Sequence, residues 1–428
     1  MRKVLIISYH FFDQKAIGSV RINGLAKFLP KFGWQPYILT AKLNTTKSSQ
    51  TQIKSFEAPC EDTSIKWKKK LRLNQDKSLK EHLQIPVKKN KSSHIDFIMK
   101  IWSEIFLYPD GIRSWRKPAV ELGGKLIESE LFDAMISSSG PPTCNLIAKD
   151  LKEKYSIPWV ADFRDLWTQN HYYQFFKFRH FIERRLEMKT LACADALTTV
   201  SEPLSDKLKE LHSSKMVSSI PNGFDPAQRN PGLPLMKKFT ITYTGSLYQG
   251  RRDPELLFQA LGNLISKGFI DPNDLSMDFY GPKEDWLEYD AIKYGLKGIV
   301  KINGLISRDE SIEKQRRTHL LLLLTWNNKE EKGVYTGKIF DYLAAGRPIL
   351  SIGASGGVVE DLLKITGAGL HLSRQEDMER IIMNAYHEYK SNNTVSYHGL
   401  PSEINKFSHI EMARKFSAVL DDLLGVKD

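Results

Sequence analysis

The sequence predicts a doubly wound α/β protein made of two similar halves, and three observations lead to this prediction. Short apolar runs, of which the first is Val4 to Ile7, alternate with helical patterns along the chain. Turn residues concentrated between Pro221 and Pro234 interrupt the alternation, and a second series begins with the apolar run at 239–243. Strands that alternate with helices build parallel sheets covered by helices on both faces.

The first half opens with a buried strand at 3–8, a loop through Gly18 and Ser19, and a helix whose apolar residues share one face. A second strand follows at 34–39. Regular alternation resumes later with strands at 132–137, 158–162 and 196–200 and a helix at 143–154.

The second half repeats the pattern, with strands at 239–243, 276–280, 300–303, 320–324 and 348–352 and helices at 254–265, 308–317, 338–345 and 358–363. The last predicted helix, 409–424, carries an apolar stripe and must pack on something. Open α/β sheets bind ligands at the carboxyl ends of their strands, so we expect a cleft between the halves.

Composition limits the function classes. The chain has 428 residues, 41% hydrophobic and 26% charged, which is typical of a folded protein with two or three domains and excludes a disordered or collagenous chain. Three scattered cysteines exclude a disulfide scaffold or zinc finger and indicate a reducing compartment. No apolar run reaches the length of a membrane helix, and no signal-peptide pattern follows Met1.

The net charge of +12 indicates an anionic partner, and nucleic acid, anionic lipid and phosphorylated small molecules are the candidates. Ten lysines and arginines between positions 66 and 91 face only Asp76 and Glu81, which predicts an insertion. This insertion is either a solvated loop or a contact with a membrane surface or polyanion.

The strongest motif runs from Gly333 to Pro348. Thr336 and Gly337 lie where a helix is predicted to begin, and helix N-termini bind phosphate through backbone amides and the helix dipole. Lys338 adds a charge there. Asp341, one turn on, is placed to hold ribose hydroxyls, or alternatively forms a surface ion pair with Lys338.

A second motif, Tyr243 to Pro254, is a strand that ends in a glycine-containing loop with two arginines. Arg251 and Arg252 suit a diphosphate because guanidinium groups donate paired hydrogen bonds, although adjacent arginines are also common on solvated surfaces. Together the two motifs predict one diphosphate pocket in the second half.

These motifs resemble the retaining, nucleotide-sugar-dependent glycosyltransferases of family 4 and their relatives in polysaccharide synthesis. The matching residues are Ile220-Pro-Asn-Gly-Phe-Asp225, Tyr243-Thr-Gly-Ser-Leu247 with Arg251, and Gly337-Lys-Ile-Phe-Asp-Tyr-Leu-Ala-Ala-Gly-Arg-Pro348. Ser138-Ser-Gly-Pro-Pro142 and Trp159-Val-Ala-Asp-Phe-Arg-Asp-Leu-Trp167 look like a subgroup associated with capsule, exopolysaccharide and lipopolysaccharide assembly.

The resemblance implies the GT-B fold, two Rossmann-like domains facing a central cleft, with no metal or other cofactor. It implies an acceptor-side domain at 1–232, carrying the insertion at about 60–92, and a donor-binding domain at 233–404. The C-terminal helix, 405–428, would cross back to the first domain. The donor would be a UDP- or GDP-sugar and the acceptor a glycan or a polyprenol-diphosphate-linked sugar, in the cytoplasm at the inner membrane face.

By the same resemblance Arg251 and Lys338 stabilise the leaving diphosphate, and Asp341 binds the ribose. Gly18, Ser19, Gly245, Ser246, Arg252, Tyr335, Thr336, Gly337 and Glu331 complete the expected donor site. Ser246 stands where the family commonly has arginine, so Arg252 or Lys338 must supply that charge. Gly333 stands in place of an acid, which leaves Glu330 or Glu331 to reach the sugar.

Arg164 and Asp165 replace a region that often holds a histidine in the family, and they are predicted to contact donor sugar or acceptor, or else to form a structural ion pair. The stretch 171–181 mixes aromatic and basic residues. It predicts either a face toward a membrane or lipid-linked acceptor, or an aromatic helix packed in the first domain.

The predicted function is sugar transfer to a growing surface glycan with retention at the anomeric carbon. Two alternatives are a sugar-nucleotide epimerase on the same fold and a non-catalytic nucleotide-sugar-binding protein. Nucleic-acid binding is not expected because no RNP, zinc-finger or helix-turn-helix motif is present.

Overall fold

The computed structural model describes residues 1–13, 17–43, 53–60, 107–170, 173, 175–229, 232–326 and 329–426. The chain divides into two compact units, one formed by Met1–Pro221 with Met412–Asp428 and the other by Asn222–Glu411. Each unit holds one sheet with helices, so the prediction of two Rossmann-like units is confirmed. The basic stretch 66–91 lies outside the described residues, as does all of the predicted insertion except Cys60.

The sheet of the first unit has seven strands in the order β3-β2-β1-β4-β5-β6-β7, and the paired neighbours run parallel. The strands are β1 Arg2–Ile7, β2 Trp34–Lys42, β3 Lys54–Pro59, β4 Ala134–Ser139, β5 Trp159–Phe163, β6 Ala196–Thr199 and β7 Met216–Ser219. Central strands such as β1 and β5 are buried along most of their length without alternation, because helices cover both faces of a parallel sheet.

The described part of residues 1–221 contains the helices α1 Ile17–Phe28, α2 Arg116–Glu130, α3 Thr143–Tyr155, α4 Lys177–Leu191 and α5 Glu202–Leu211. Helix α5 was not predicted. Neither were strand β3, strand β7 and helix α2. Their sequences lack a clear period because much of their length faces solvent or, in α2, carries paired glycines at Gly123 and Gly124. Gly123 and Gly124 are buried, and a side chain at either would meet Leu151 or Tyr155 of α3.

The second unit has a six-stranded parallel sheet in the order β10-β9-β8-β11-β12-β13. Its strands are β8 Phe239–Thr244, β9 Leu275–Tyr280, β10 Val300–Gly304, β11 Leu320–Leu324, β12 Ile349–Ile352 and β13 Gly369–Leu372. Strand β11 is five consecutive buried leucines at the centre of the sheet, as expected for a strand covered on both faces.

The helices of this unit are α6 Glu255–Ser266, α7 Asp285–Lys293, α8 Arg308–Arg317, α9 Lys338–Ala345, α10 Val358–Thr366, α11 Gln375–Asn392 and α12 Pro401–Asn405. Ser307 and Glu310 form a capping box that fixes the start of α8. Gly346, with a φ of 61°, ends α9 because glycine tolerates the left-handed conformation that stops a helix.

Each sheet has a point where the strand order reverses, between β1 and β4 in the first unit and between β8 and β11 in the second. Loops that leave the two central strands diverge there and open a crevice at the carboxyl ends of the strands, which is where such sheets bind ligands. The fold therefore places the loops after β1 and β4, and those after β8 and β11, at the two candidate sites.

The C-terminal helix, α13 His409–Leu423, belongs to the first unit from Met412 onward. Its stripe of Met412, Ala413, Phe416 and Leu420 is buried. Arg21 Nη1 donates to Met412 Sδ at 3.6 Å, and Trp34 Nε1 donates to Asp421 Oδ1 at 2.9 Å. The apolar stripe of α13 is therefore buried in the first unit, although the helix follows the second unit in sequence.

Candidate active site

The two motifs of the second unit meet at its switch point. The glycine loop Gly245–Arg252 follows β8, the segment with Trp326 and Glu331 follows β11, and Lys338 begins α9. Residues separated by about ninety positions are therefore brought to one edge of the sheet by the parallel order of β8 and β11.

Lys338 lies over the ring of Tyr243, the penultimate residue of β8. Its Nζ donates to the Tyr243 hydroxyl at 2.6 Å and stands 3.9 Å from the ring centroid. Burial, and then the charge of Arg252, lower the pKa of Lys338 well below its ordinary value of 10.5. Burial takes the Lys338 ammonium out of water and Arg252 repels it. An anion bound beside both cations would therefore stabilise their charged forms.

Gly245 makes room for this lysine. Its φ is 111°, and a Cβ there would lie 2.5 Å from Lys338 Cε and 2.8 Å from Nζ. Glycine at this position thus has a physical reason in this chain, since a side chain would displace the cation. Gly281 packs directly on the backbone of Gly245: a Cβ on Gly281 would lie 2.2 Å from Gly245 O.

Gly245→Ala is expected to weaken nucleotide binding about tenfold or more, because the methyl group would push the Lys338 side chain away from Tyr243. Gly268→Ala is the matched control: Gly268 also has a positive φ, of 75°, but nothing lies within 4 Å of its Cβ position. Both variants carry the backbone strain, about 1 kcal/mol, and only the first should lose affinity in a calorimetric titration. Equal loss in both would contradict the interpretation.

The two arginines of the loop occupy different places. Arg252 lies at the Tyr243 hydroxyl together with Lys338, and its guanidinium carbon is 4.6 Å from the Tyr248 ring. Its Nε is buried and has no hydrogen-bond partner within the part of the chain that the structure describes. Arg251 instead stacks on Trp326 at 4.6 Å. Arg252 is thus the arginine beside Lys338, and its role in supplying the charge that Ser246 lacks stays a prediction.

Ser246 has a local role in the turn. Its Oγ accepts from the Tyr248 amide at 3.1 Å, and its carbonyl accepts from the Tyr243 hydroxyl at 2.6 Å. Tyr248 and Gln249 have φ values of 53° and 56°, a conformation that is costly for residues with side chains. The turn is therefore held in a strained shape that keeps Tyr248 against Trp326, with ring centroids 6.0 Å apart.

Thr336 brings a buried hydroxyl to the start of α9. Its side chain is buried, with 7% of the residue exposed, and its Oγ1 has no hydrogen-bond partner among the described residues. A buried hydroxyl without a partner costs free energy and is rare. It lies two residues before Lys338, where α9 begins and where first-turn backbone amides lack partners within the helix.

Asp341 faces Arg308 of α8. Arg308 Nη2 donates to Asp341 Oδ1 at 2.8 Å, so Lys338 and Asp341 each bind a different partner rather than each other. Burial raises the pKa of Asp341, and Arg308 opposes that rise. A carboxylate has about four acceptor positions, so this one can accept from Arg308 and from hydroxyls of a ligand at once.

The remaining predicted residues flank this group. Glu331 Oε2 accepts from the Trp326 amide at 3.2 Å, Tyr335 packs edge-on against Phe340 at 5.7 Å, and Gly337 precedes α9. In the described residues no group of three or more histidines, cysteines or acids is placed to hold a metal ion.

The four predicted residues of the first unit also gather at a switch point. Arg164, after β5, lies against Gly18 at the start of α1: a Cβ on Gly18 would be 2.4 Å from Arg164 Nη1. Arg164 Nε and Nη2 donate to Asp165 Oδ2 at 2.9 and 2.8 Å, so the ion pair that was the alternative interpretation is present. Ser19 is buried, and its carbonyl accepts from Asn23 at 2.8 Å.

Sequence reasoning missed the residues that organise these groups. Tyr243 was quoted only as part of a motif, yet its hydroxyl joins Lys338, Ser246 and Arg252. Arg308 and Trp326 were not singled out, because their partners Asp341 and Arg251 lie far away in sequence. No local pattern could have revealed these pairs.

No protein-family model and no curated protein matches the chain. Solved structures do match it. A sucrose-phosphate synthase from Thermosynechococcus elongatus is 12% identical, with 100% of both chains covered and a TM-score of 0.62. The Anabaena protein HepE in complex with UDP is 11% identical, with 99% of this chain and 100% of that chain covered and a TM-score of 0.62.

At this level of identity the likeness establishes the fold alone: the chain has the GT-B fold. A putative UDP-N-acetylglucosamine 2-epimerase from Listeria monocytogenes shares it, at 12% identity, with 100% and 97% of the two chains covered and a TM-score of 0.53. A glycosyltransferase from Rickettsia africae and this epimerase are both among the matches, so the fold by itself does not select between the two reactions.

Proposed function

We propose that the protein is a glycosyltransferase that binds a nucleotide sugar in its second unit and transfers the sugar to an acceptor. The observation that carries the proposal is the group at the second switch point, where Lys338 and Arg252 converge on the Tyr243 hydroxyl and Thr336 lies two residues before Lys338, at the start of α9. Two cations and a free hydroxyl beside a helix N-terminus match the chemistry of a diphosphate.

The chemistry follows from the charges. When the bond between the sugar and the diphosphate breaks, negative charge develops on the leaving β-phosphate, and preorganised cations lower the free energy of that state. Lys338 and Arg252 are in place to do this, so we propose that no metal is needed. Asp341 would accept hydrogen bonds from the ribose while keeping Arg308.

The finer proposals rest on the resemblance of the motifs. They are a UDP- or GDP-sugar donor, a glycan or polyprenol-linked acceptor of the kind used for capsule or lipopolysaccharide synthesis, and retention at the anomeric carbon. No side chain of the second switch point is identified as a covalent nucleophile, so we propose that the leaving phosphate assists the acceptor hydroxyl on the same face. HepE binds UDP in its solved structure, which is compatible with this donor class.

Titration of the protein with UDP and GDP in the presence of a chelator tests the donor site. We expect one nucleotide to bind without metal, and Thr336→Val to weaken that binding about tenfold or more, since a hydrogen bond to a charged group is lost. The same variant should be as stable as wild type or more stable, because it removes a buried hydroxyl that has no partner.

Thr366→Val is the matched control for this titration. Thr366 is also buried, but its Oγ1 donates to Leu362 O at 2.7 Å within α10. It should lose stability and keep its nucleotide affinity, the reverse of Thr336→Val. Failure of the wild type to bind either nucleotide would overturn the proposed donor site.

An acceptor-dependence experiment separates transfer from epimerisation. A transferase releases nucleoside diphosphate in proportion to added acceptor and leaves the configuration of the unused donor unchanged. An epimerase alters the donor sugar with no acceptor present, as would be seen in the NMR spectrum of the recovered nucleotide sugar. Binding without either reaction would indicate the non-catalytic alternative.

A further inference from the structure

Helix α4 packs on the first unit through its polar side. Its buried residues are Arg179, Glu183, Glu187, Thr190 and Leu191. A surface helix of a globular protein ordinarily buries an apolar stripe and exposes its charges. The orientation of α4 is the reverse of that arrangement.

Specific hydrogen bonds hold the helix this way round. Arg179 Nε donates to Glu183 Oε1 at 2.6 Å, and the Thr168 amide donates to Glu187 Oε2 at 3.0 Å. Arg179 Nη2 also donates to Leu107 O at 2.9 Å. Arg179 and Glu183 would keep each other in any orientation of α4, but rotating the helix would take Arg179 away from Leu107 and Glu187 away from Thr168, a change that is costly for buried charges.

The side of α4 that faces outward carries large apolar side chains. Phe178 is 76% exposed, Phe181 52%, Ile182 37% and Met188 47%, and Phe176, just before the helix, is 39% exposed. Phe178, Phe181 and Ile182 follow the i, i+3, i+4 spacing that places side chains on one helix face. In water an apolar cluster of this size is unfavourable unless something covers it.

The same side carries cations and no carboxylate. Lys177, Arg184, Arg185 and Lys189 are exposed, whereas Glu183 and Glu187, the two acids of α4, are buried. The Arg185 guanidinium carbon lies 4.2 Å from the Phe181 ring centroid. Long basic side chains can extend from an apolar surface into a charged layer around it.

We propose that this face of α4, formed by Phe178, Phe181, Ile182, Arg184 and Arg185, docks on a membrane leaflet that contains anionic lipids. The apolar side chains would enter the boundary between headgroups and acyl chains, and the cations would bind lipid phosphates, as in helices that lie in the plane of a membrane. This chemistry explains both features of the face together, whereas a nucleic acid would explain only the cations. The proposal does not depend on the donor site.

Sedimentation with vesicles tests it. The full-length protein is mixed with vesicles of phosphatidylcholine alone and of phosphatidylcholine with phosphatidylglycerol. We expect binding to the second kind and little to the first. Phe178→Ser combined with Phe181→Ser should weaken binding roughly tenfold or more, and Arg184→Gln combined with Arg185→Gln should do likewise because each surface cation contributes comparably.

Matched controls come from the second unit. Phe269→Ser removes a phenylalanine that is 51% exposed, almost the same as Phe181, and Lys237→Gln with Lys238→Gln removes two adjacent exposed cations. Neither control should change vesicle binding, and hydrogen exchange of peptides from β5 and β6 checks that the α4 variants keep the fold of the first unit. The proposal would be overturned if the wild-type protein bound neither type of vesicle. It would also be overturned if the variants and the controls lost vesicle binding equally. Self-association that is abolished by the phenylalanine variant, without vesicle binding, would overturn it in favour of a second copy of the chain.

Discussion

Lys338→Met is expected to lower kcat for sugar transfer by about 10²–10³-fold, the usual effect of removing one preorganised group that stabilises charge in a transition state. Methionine keeps the unbranched apolar shape that fits beside Gly245 and Tyr243. The variant should be no less stable than wild type, because replacing a desolvated charge by an apolar group of similar size is often neutral or stabilising. Steady-state kinetics and chemical denaturation measure the two effects separately.

The depressed pKa of Lys338 gives this prediction a second readout. A bound diphosphate favours the ammonium form and raises the pKa of Lys338, so nucleotide binding should take up protons. Affinity should therefore fall as pH rises from the lowered pKa toward 10.5. Calorimetry in two buffers with different ionisation enthalpies would show proton uptake in the wild type that disappears in Lys338→Met.

Lys390→Met serves as the control. Lys390 Nζ lies 2.7 Å from Asp274 on the surface of the second unit, away from the switch point. It should retain wild-type kcat and proton uptake. Uptake that persists unchanged in Lys338→Met would show that another group titrates, and the assignment of Lys338 would be wrong.

Arg21→Met is expected to destabilise the first unit by about 3–5 kcal/mol, the cost of leaving the partner of a buried ion pair uncompensated. Arg21 donates from Nε and Nη2 to the two oxygens of Asp162 at 2.9 and 2.8 Å, and their side chains are 1% and 0% exposed. Without arginine, the Thr198 hydroxyl is what remains bonded to the carboxylate. Arg21 also lies 5.1 Å from the Phe416 ring, so α13 should loosen as well.

Hydrogen exchange followed by mass spectrometry suits this prediction, because it reports each unit of the protein separately. Peptides from β5, β6 and α13 should exchange faster in Arg21→Met, while those of the second unit should not. The double variant Arg21→Met with Asp162→Leu should recover much of the loss, since both charges are gone.

A surface pair provides the control for Arg21. Lys209 and Asp206 are 3.4 Å apart with side chains 49% and 67% exposed, so Lys209→Met should change stability by less than about 1 kcal/mol. If Arg21→Met were as mild as Lys209→Met, the buried pair would not be what holds the first unit and α13 together.

Most of the fold could be predicted from the sequence, because the central strands of a parallel sheet are short apolar runs that stand out between helices. Leu320–Leu324 and Arg2–Ile7 are of this kind. Edge strands such as Lys54–Pro59 and Met216–Ser219 could not be predicted, because they are partly exposed and their composition resembles that of loops.

The candidate site was predictable as two motifs, and their assignment to a donor stays a prediction. Glycines and cations at strand ends and helix starts have local causes that a single sequence displays, as Gly245 and Lys338 do. The pairing of Arg308 with Asp341, the stacking of Arg251 on Trp326 and the missing partner of Thr336 depend on residues that only the folded chain brings together.

The orientation of helix α4 is another feature that the sequence could not predict. The sequence at 171–181 was compatible with a membrane-facing helix and with a packed aromatic one, because composition does not say which side of a helix is buried. The folded first unit supplies Thr168 and Leu107 as partners for Glu187 and Arg179, and these bonds turn Phe178 and Phe181 outward.

The sequence by itself determined the α/β class, the two halves and the residue types available at each strand end, because hydrophobic period and turn chemistry are local properties of the chain. The tertiary structure alone decided which strand ends are neighbours, which charges lose their water and which polar atoms lack partners. Those properties depend on strand order and burial, and both arise only when distant segments share one sheet.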